Sequence, residues 1–318
     1  MRALRPRWER LRPKAVALAL CLLGPASAAV ALASQNDGWP PPNWTEAVAP
    51  FAVADDLYYV GTAELGSFLF TSTAGHILLD VPMEENVDRV QSSIESLGFS
   101  LRDVRLLVIS HAHFDHVGGL AEMKRRTGAE VVVLPASVEL LESGGLTDFF
   151  LSPEDAAFPP VNVDRTLPPG GSVRLGPWEL TAHWTPGHTR GCTSWGAEVR
   201  VAGVPRKALV VCSLTVLPGY QLVGESPSYP DIGQDFCRSA SHLASLSIDV
   251  FLANHASFFG AMPKRSGGVK AFVDPTRYER YLERARHRIQ TVLGEQSGST
   301  GSWSAAEIEA CGQPRPLG

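Results

Sequence analysis

The residues best suited to chemistry are three histidines and one aspartate in the six-residue run HAHFDH at positions 111–116. Two further histidines, His188 and His255, stand much later in the chain. Imidazole and carboxylate ligands without thiolate suit zinc, and three protein ligands per ion leave positions open for water and substrate. Two such ions side by side can generate hydroxide near neutral pH and polarise a carbonyl group. The pattern therefore predicts a two-zinc hydrolytic site, because a chance cluster is improbable when the whole chain has 9 histidines.

The elements around this run place it at the end of a strand. Residues 105–110 form an apolar run that predicts a buried strand, and Val117–Arg126 predicts a helix. Open α/β sheets place their ligand sites at the carboxyl ends of their strands. We expect the first two histidines of the run to face one metal, and its aspartate and last histidine to face a second.

His188 and His255 also follow predicted strands. His188 lies in the turn TPGHTRG after the strand-like segment Trp178–His183, and His255 follows the apolar segment Ile248–Asn254. A single histidine at a strand end is more often a polar terminus than a ligand, but these two supply the ligands that the first run lacks. Four histidines without such context are interpreted as structural or surface residues: His76, His183, His242 and His287.

The motifs HAHFDH and PGHTRG, the strand-end His255 and the earlier segments DDLYYVGTAELGSFLF and GHILLD resemble the metallo-β-lactamases of subclass B3. The resemblance runs from about Trp39 to beyond Tyr281. It implies an α/β fold, a four-layer αββα sandwich with two mixed β-sheets, in which the metals lie in a groove between the sheet edges. It also implies two zinc ions per chain with a hydroxide between them.

The resemblance divides the ligands between the two ions: His111, His113 and His188 bind the first zinc, and Asp115, His116 and His255 bind the second. Asp115 and His116 are therefore the candidate catalytic residues. Asp115 would orient the hydroxide and help to move its proton, and the second zinc would stabilise the nitrogen that departs when a β-lactam ring opens.

Asp80, at the end of the predicted strand 76–80, is the candidate partner of a metal ligand. Metal-bound histidines usually donate their other ring nitrogen to a carboxylate or carbonyl group. The alternative is a turn aspartate that only ends the strand. Relatives often carry glycines after this aspartate, whereas this chain has Val81 and Pro82.

Substrate contacts are expected from Ser213 and Thr215, whose hydroxyl groups, by the same resemblance, bind the carboxylate of a β-lactam. No lysine occurs from 213 to 229 to take that role. A lid over the groove is predicted from the turn-rich segment Thr147–Pro160. Phe150 and Phe158 in this segment are candidate substrate contacts, with neighbouring Phe149; the alternative is that these rings seal the loop onto the core.

The first residues predict export. Six basic residues precede the apolar stretch Ala15–Gly24, so residues 1–28 read as a secretory signal peptide and 29–318 as a single catalytic domain. Small-residue patterns also allow a mature start at Ser34. A membrane anchor needs ~20 apolar residues, and the stretch is shorter than that. Lipid attachment at Cys21 is disfavoured by the bulky Leu20. The predicted location is the periplasm.

Export places the remaining four cysteines in an oxidising compartment. Segments 192–201 and 206–212 predict a hairpin with its turn at Ala202–Pro205. In a hairpin centred near Ala202, Cys192 and Cys212 lie opposite each other and within disulfide reach. The sequence leaves open whether Cys237 and Cys311 pair with each other or stay free.

The predicted function is zinc-dependent opening of the β-lactam ring of penicillins, cephalosporins and carbapenems, which confers antibiotic resistance. A net charge of -5 without a basic patch does not indicate nucleic acid. We expect a monomer that binds a small-molecule β-lactam and has no membrane partner after signal cleavage. One alternative is a thioester, lactone or phosphodiester hydrolase of the same fold, as in glyoxalase II. Such relatives generally carry a bridging aspartate where this chain has Ser213. The other is a secreted zinc-binding protein without catalysis.

Overall fold

The computed structural model describes residues 40–300 and 303–314, without the side chains of residues 299 and 300. The predicted signal peptide, residues 1–28, and its alternative cleavage points lie outside the described residues. Within the described part, no helix combines the length and the apolar character that crossing a membrane requires.

In the described residues, twelve strands form two mixed sheets. In the first, of order β1 to β7, the strands are antiparallel up to β4 and parallel from there to β7. Its strands are β1 Phe51–Ala54, β2 Leu57–Tyr59, β3 Phe68–Phe70, β4 His76–Leu79, β5 Val104–Val108, β6 Glu130–Val133 and β7 Arg165–Thr166. In the second, of order β12-β11-β10-β9-β8, only the β11/β12 pair is parallel. Its strands are β8 Ser172–Leu175, β9 Trp178–Trp184, β10 Thr193–Val201, β11 Val204–Val211 and β12 Val250–Ala253.

Helices cover both outer faces. The α-helices are α1 Val87–Ser96, α2 Phe114–Val117, α3 Leu120–Thr127, α4 Val138–Glu142, α5 Pro153–Ala156, α6 Ile232–Ala244, α7 Ala256–Phe259, α8 Ala261–Lys264, α9 Pro275–Thr300 and α10 Ala305–Ala310. Short 3-10 helices occupy Pro42–Trp44, Glu84–Asn86, Leu101–Asp103, Pro135–Ser137, Arg265–Gly267 and Val269–Phe272.

Alternating residues of β3 show how the layers pack. Phe68 and Phe70 belong to the core that the two sheets share with α6 and α9, whereas Leu69 belongs to a second core with α1 and α3. Successive strand side chains point to opposite faces, so the first sheet is buried on both sides. The order of layers is therefore helix, sheet, sheet, helix, and the predicted αββα sandwich with two mixed sheets is confirmed.

The helix predicted at Val117–Arg126 differs from the structure. A single turn, α2, begins at Phe114, and α3 begins only at Leu120. Between them, a Cβ atom on Gly119 would lie 2.6 Å from Cγ2 of Val87 and 2.8 Å from the carbonyl oxygen of Pro82. Glycine permits this close approach, which separates the two helices.

The β10–β11 hairpin is present, but its turn and its register differ from the prediction. Its turn is Ala202-Gly203, both with positive φ, as in two-residue hairpin turns of type I′. The pairing is displaced by one residue from the predicted register, with Trp195 opposite Val210. Cys192 and Cys212 lie beyond this paired stretch, with Cα atoms 5.8 Å apart, and the predicted disulfide between them is present. Cys237 and Cys311, left open above, form a second disulfide.

Candidate metal centre

Three of the predicted ligands form one compact group of imidazoles. The rings of His111, His113 and His188 have centroids 4.7 to 4.9 Å apart, and one nitrogen from each lies within 4.8 Å of the others. The first two stand in the loop after β5, and the third stands in the turn after β9. All three are buried. The fold thus joins residues that are 75 positions apart in the sequence.

The other three predicted ligands are Asp115, His116 and His255. The two imidazoles converge on one oxygen of the Asp115 carboxylate. Oδ2 of Asp115 lies 3.1 Å from Nε2 of His116 and 3.5 Å from Nε2 of His255. Asp115 and His116 stand on the single turn α2, while His255 directly follows β12. The ring of His116 also lies 4.5 Å from that of His111, so the two groups are adjacent.

Each of the five histidines has a further polar group close to one ring nitrogen. Metal-binding imidazoles are usually held in this way. The contacts are Ser110 Oγ to His111 Nδ1 at 3.2 Å, Asp148 Oδ2 to His113 Nε2 at 3.3 Å, Asp80 Oδ2 to His116 Nδ1 at 3.6 Å, Thr215 O to His188 Nδ1 at 2.9 Å and Glu64 Oε1 to His255 Nδ1 at 3.4 Å.

Asp80 lies next to His116, one of the predicted ligands. Besides its contact with His116, it accepts hydrogen bonds from the backbone N–H of Ser110 at 2.6 Å and from the Ser110 hydroxyl at 2.7 Å. Its φ is 60°, an unfavourable value for a non-glycine residue. Strained backbone of this kind is typical of functional sites, where the surroundings hold it in place.

Electrostatics favour the neutral form of two imidazoles in the first group, His111 and His188. Burial, together with the neighbouring histidines, holds the pKa of His111 well below its ordinary value and lowers the pKa of His188 to about 3. A neutral imidazole is the form that binds metal.

The second group contains an ionised carboxylate, that of Asp115. Burial acts to raise the pKa of Asp115, but the charges and hydrogen bonds of His116 and His255 outweigh it and hold that pKa well below its ordinary value. For His255, burial acts to lower the pKa, but Asp115 and Glu64 outweigh it and raise the pKa to about 9. Without a metal, the group therefore combines an ionised carboxylate, a protonated His255 and His116, whose pKa burial lowers; a metal ion would displace the proton of His255.

A metal fits this donor set. Nε2 of His111 is buried and has no hydrogen-bond partner among residues 40–300 and 303–314. A buried polar atom without a partner costs free energy unless a ligand satisfies it. Oxygen and nitrogen donors in two groups of three, without thiolate, match a hard or borderline divalent ion such as zinc.

The predicted substrate residues lie at the end of β11, beside the first group. Ser213 is buried, and its Oγ accepts a hydrogen bond from the backbone N–H of Thr215 at 3.1 Å. Thr215 is exposed, and its carbonyl oxygen is the one that accepts from His188. The Thr215 backbone therefore contacts a predicted ligand, while the residue itself is exposed.

The predicted lid divides into two parts. Phe150 is 36% exposed and packs against Tyr220, with ring centroids 4.7 Å apart. Phe158, in contrast, is 7% exposed and packs in the core with α1 and α3. The assignment of Phe158 to the substrate is therefore wrong, because its ring seals the segment onto the core. Phe149 packs between Tyr220 and Tyr229.

Five residues that contact the predicted site were not singled out from the sequence: Glu64, Ser110, Asp148, Tyr220 and Asn254. Tyr220 donates to the carbonyl oxygen of His188 at 2.8 Å, and the Asn254 amide lies 3.4 Å from both His111 Nδ1 and His116 Nε2. Asn254 directly precedes a predicted ligand, which was a usable signal. Glu64 lies in the segment DDLYYVGTAELGSFLF and Asp148 in the predicted lid, but neither side chain was singled out, and Tyr220 stands in a segment without a motif.

Comparison with known proteins agrees with this geometry. Residues 67–201 match the model of the metallo-beta-lactamase superfamily. A curated hydroxyacylglutathione hydrolase from Methylobacterium sp. (strain 4-46) is 28% identical over 244 residues, which cover 74% of this chain and 80% of that protein.

Solved structures are more similar. The FEZ-1 metallo-beta-lactamase from Legionella gormanii is 39% identical, with a TM-score of 0.77 over 80% of this chain and 98% of that one. BJP-1, a subclass B3 metallo-beta-lactamase of Bradyrhizobium japonicum, is 35% identical, with a TM-score of 0.76 over 81% of this chain and 98% of that one. With two histidine-rich groups at the strand ends of an αββα sandwich, this chain belongs to the metallo-β-lactamase family, in its subclass B3.

Proposed function

We propose that this protein is an exported two-zinc β-lactamase that opens the ring of penicillins, cephalosporins and carbapenems and so confers resistance to them. The observation that carries the proposal is the convergence of His116 and His255 on Oδ2 of Asp115. This geometry supports His255 as a ligand of a second ion, the arrangement that the B3 resemblance implies. The activity named in the titles of the related structures supports the same substrate class.

The first zinc would be held by His111, His113 and His188, and the second by Asp115, His116 and His255. When bound, the two ions supply a hydroxide nucleophile near neutral pH and polarise the lactam carbonyl group.

Asp115 supplies the proton chemistry. Its pKa lies well below the ordinary value, so the carboxylate is ionised at neutral pH and can accept a hydrogen bond from the attacking water and orient it. The lactam nitrogen requires a proton after the C–N bond breaks, and we assign to Asp115 the role of helping to move the proton of the attacking water. No covalent acyl-enzyme is needed in this sequence.

The residues proposed to orient the substrate lie at the end of β11 and in the loop that carries Phe150. The Thr215 hydroxyl is exposed beside His188, and Ser213 stands two residues earlier at the end of β11. We assign both hydroxyls to the carboxylate of the β-lactam. Phe150, partly exposed over Tyr220, forms an apolar wall for the substrate.

Thioester hydrolysis is the second candidate, because the curated relatives are hydroxyacylglutathione hydrolases. The sequence at the end of β11 argues against thioester hydrolysis. Residues 210–215 contain no aspartate that could bridge two metals, and Ser213 stands where those relatives generally carry the bridging aspartate. The donor groups of this chain instead include His116 and His255.

A direct assay separates the two candidates. Purified zinc-loaded protein is tested by absorbance with a penicillin, a cephalosporin and a carbapenem, and in parallel with a glutathione thioester. We expect β-lactam turnover that Asp115→Asn abolishes and that the exposed control His287→Ala retains. Thioester turnover without any β-lactam turnover would replace the proposal. Cell fractionation tests export, with the processed protein expected in the periplasm.

A further inference from the structure

The Cys192–Cys212 disulfide lies directly against a predicted zinc ligand. One nitrogen of His111 and the two sulfur atoms lie within 4.8 Å of one another. All three residues are buried, with exposed fractions of 1%, 0% and 0%. The oxidised sulfur atoms are bonded to each other and offer no thiolate. If the bond is opened, the same atoms form a set of one imidazole and two thiols.

The backbone holds both cysteines independently of the S–S bond. The carbonyl oxygen of Cys192 accepts from the backbone N–H of Thr185 at 2.9 Å, and the N–H of Cys212 donates to Oγ of Ser194 at 3.1 Å. The adjoining β10–β11 ladder is paired from Trp195 and Val210 to the turn. Reduction therefore leaves the two sulfur atoms close to each other and to His111.

We propose that the disulfide masks an alternative metal site, formed by His111 and the thiolates of Cys192 and Cys212, that opens when the bond is reduced. A dithiol reductant transfers two electrons and two protons to the S–S bond, which gives two thiols, and itself becomes a cyclic disulfide. A divalent ion then binds the two sulfur atoms, and the two thiol protons are released to solvent.

The two sites exclude each other because they share His111. Zinc binds thiolate at about 2.3 Å and imidazole at about 2.0–2.1 Å, so the donor atoms need to move by only about an ångström to close on one ion. Thiolates are softer ligands than imidazole and select zinc and other soft ions. In the reduced chain the ion is drawn away from His113 and His188. Disulfide formation in an oxidising compartment removes this competitor and leaves His111 to the imidazole group.

Cobalt reports thiolate ligation by a charge-transfer band in the near ultraviolet. The metal-free full chain is reduced with a phosphine, which takes oxygen from water to become a phosphine oxide and is then removed under argon. Cobalt is titrated into reduced and oxidised protein, and circular dichroism follows the fold. We expect the band only in the reduced protein, saturating at about one ion per chain.

Two variants test the identity of the sulfur atoms. Cys192→Ser/Cys212→Ser should lose the band, while Cys237→Ser/Cys311→Ser should keep it. In the reduced protein, cobalt should slow alkylation of Cys192 and Cys212 by roughly tenfold or more, since a bound thiolate is not free to react. Cys212→Ser, which cannot form the bond and keeps one thiol beside His111, should give a weaker band.

Three outcomes overturn the proposal: a folded reduced chain that binds cobalt without the band, a band that survives in Cys192→Ser/Cys212→Ser, or loss of the fold in both the reduced chain and Cys212→Ser. None of these readouts depends on the substrate of the enzyme. A failure here is therefore distinct from a failure of the β-lactamase proposal.

Discussion

Oδ2 of Asp148 lies 3.3 Å from Nε2 of His113, and Oδ1 of the same carboxylate accepts the backbone N–H groups of Phe150 at 2.8 Å and Leu151 at 2.7 Å. One side chain thus connects a predicted metal ligand to the loop that carries the partly exposed Phe150 ring. The neighbouring His113 and the backbone N–H groups of the loop lower the pKa of Asp148 despite its burial, so the carboxylate stays ionised. Metal binding and loop order should therefore depend on each other.

We expect Asp148→Asn to weaken metal binding at the first group about 10- to 100-fold, as is typical when the partner of a ligand is lost. Competition with a chromophoric chelator measures the affinity, and hydrogen exchange over 147–160 measures loop order. The exposed Glu154→Gln in the same segment is the control. Unchanged affinity with a disordered loop would show that Asp148 serves the loop alone.

Removal of metal should abolish β-lactam hydrolysis, and zinc should restore it, because the proposed reaction takes its nucleophile from the bound ions. Metal analysis of the active protein should give about two zinc ions per chain, one for each group of three ligands. Activity that persists after exhaustive chelation would contradict the assignment.

His116→Ala and His255→Ala should each lower metal content toward one ion per chain, because each removes one of three ligands of the second ion. The first group should retain its metal. His287→Ala, on the exposed face of α9, is the matched control. Equal loss of both metals in either variant would show that the ligands are divided differently.

Ser213→Ala/Thr215→Val should reduce kcat/KM by roughly tenfold to several-hundredfold, since a hydrogen bond to a charged group contributes ~1.5–3 kcal/mol at best. Two zinc ions should remain bound, because His188 contacts the Thr215 backbone rather than its hydroxyl. A loss mostly in KM would indicate a contact that is equally strong in ground and transition states. Full metal content with unchanged kcat/KM on several β-lactams would remove both residues from the site.

His183 and His242, interpreted as structural from the sequence, lie 3.0 Å apart between Nδ1 and Nε2. Burial, with a smaller contribution from His242, lowers the pKa of His183 to about 4. The unfolded chain binds a proton near the ordinary value of 6.5. Stability from this pair is therefore present above that pH and is lost as the pH falls from about 6.5 toward 4.

His183→Gln should flatten this acid dependence by about 1 kcal/mol, a value reduced for solvent screening of the half-buried ring. Urea unfolding of metal-free protein at several pH values measures the difference, with His287→Gln as control. An equal acid dependence in His183→Gln and wild type would assign the loss of stability to other groups.

The sequence alone predicted the sandwich fold, which is confirmed, and a candidate ligand set whose residues the structure brings together. Residue type singles out the histidines of HAHFDH and the two histidines that follow later strands. Their position at strand ends can also be predicted, because local sequence patterns predict strands well. The Cys192–Cys212 bond was also predicted, although the register was displaced by one residue. That error did not matter, because cysteines beyond the paired stretch need only approach within disulfide reach.

Only the tertiary structure decided which groups support the ligands. Glu64, Asp148 and the Thr215 carbonyl reach their histidines across 191, 35 and 27 positions of sequence. Sheet packing creates these contacts, and no local pattern encodes them. The same holds for Phe158, which is apolar in either location and lies in the core because the chain folds back there, and for Cys237 and Cys311, which meet where α10 packs on α9.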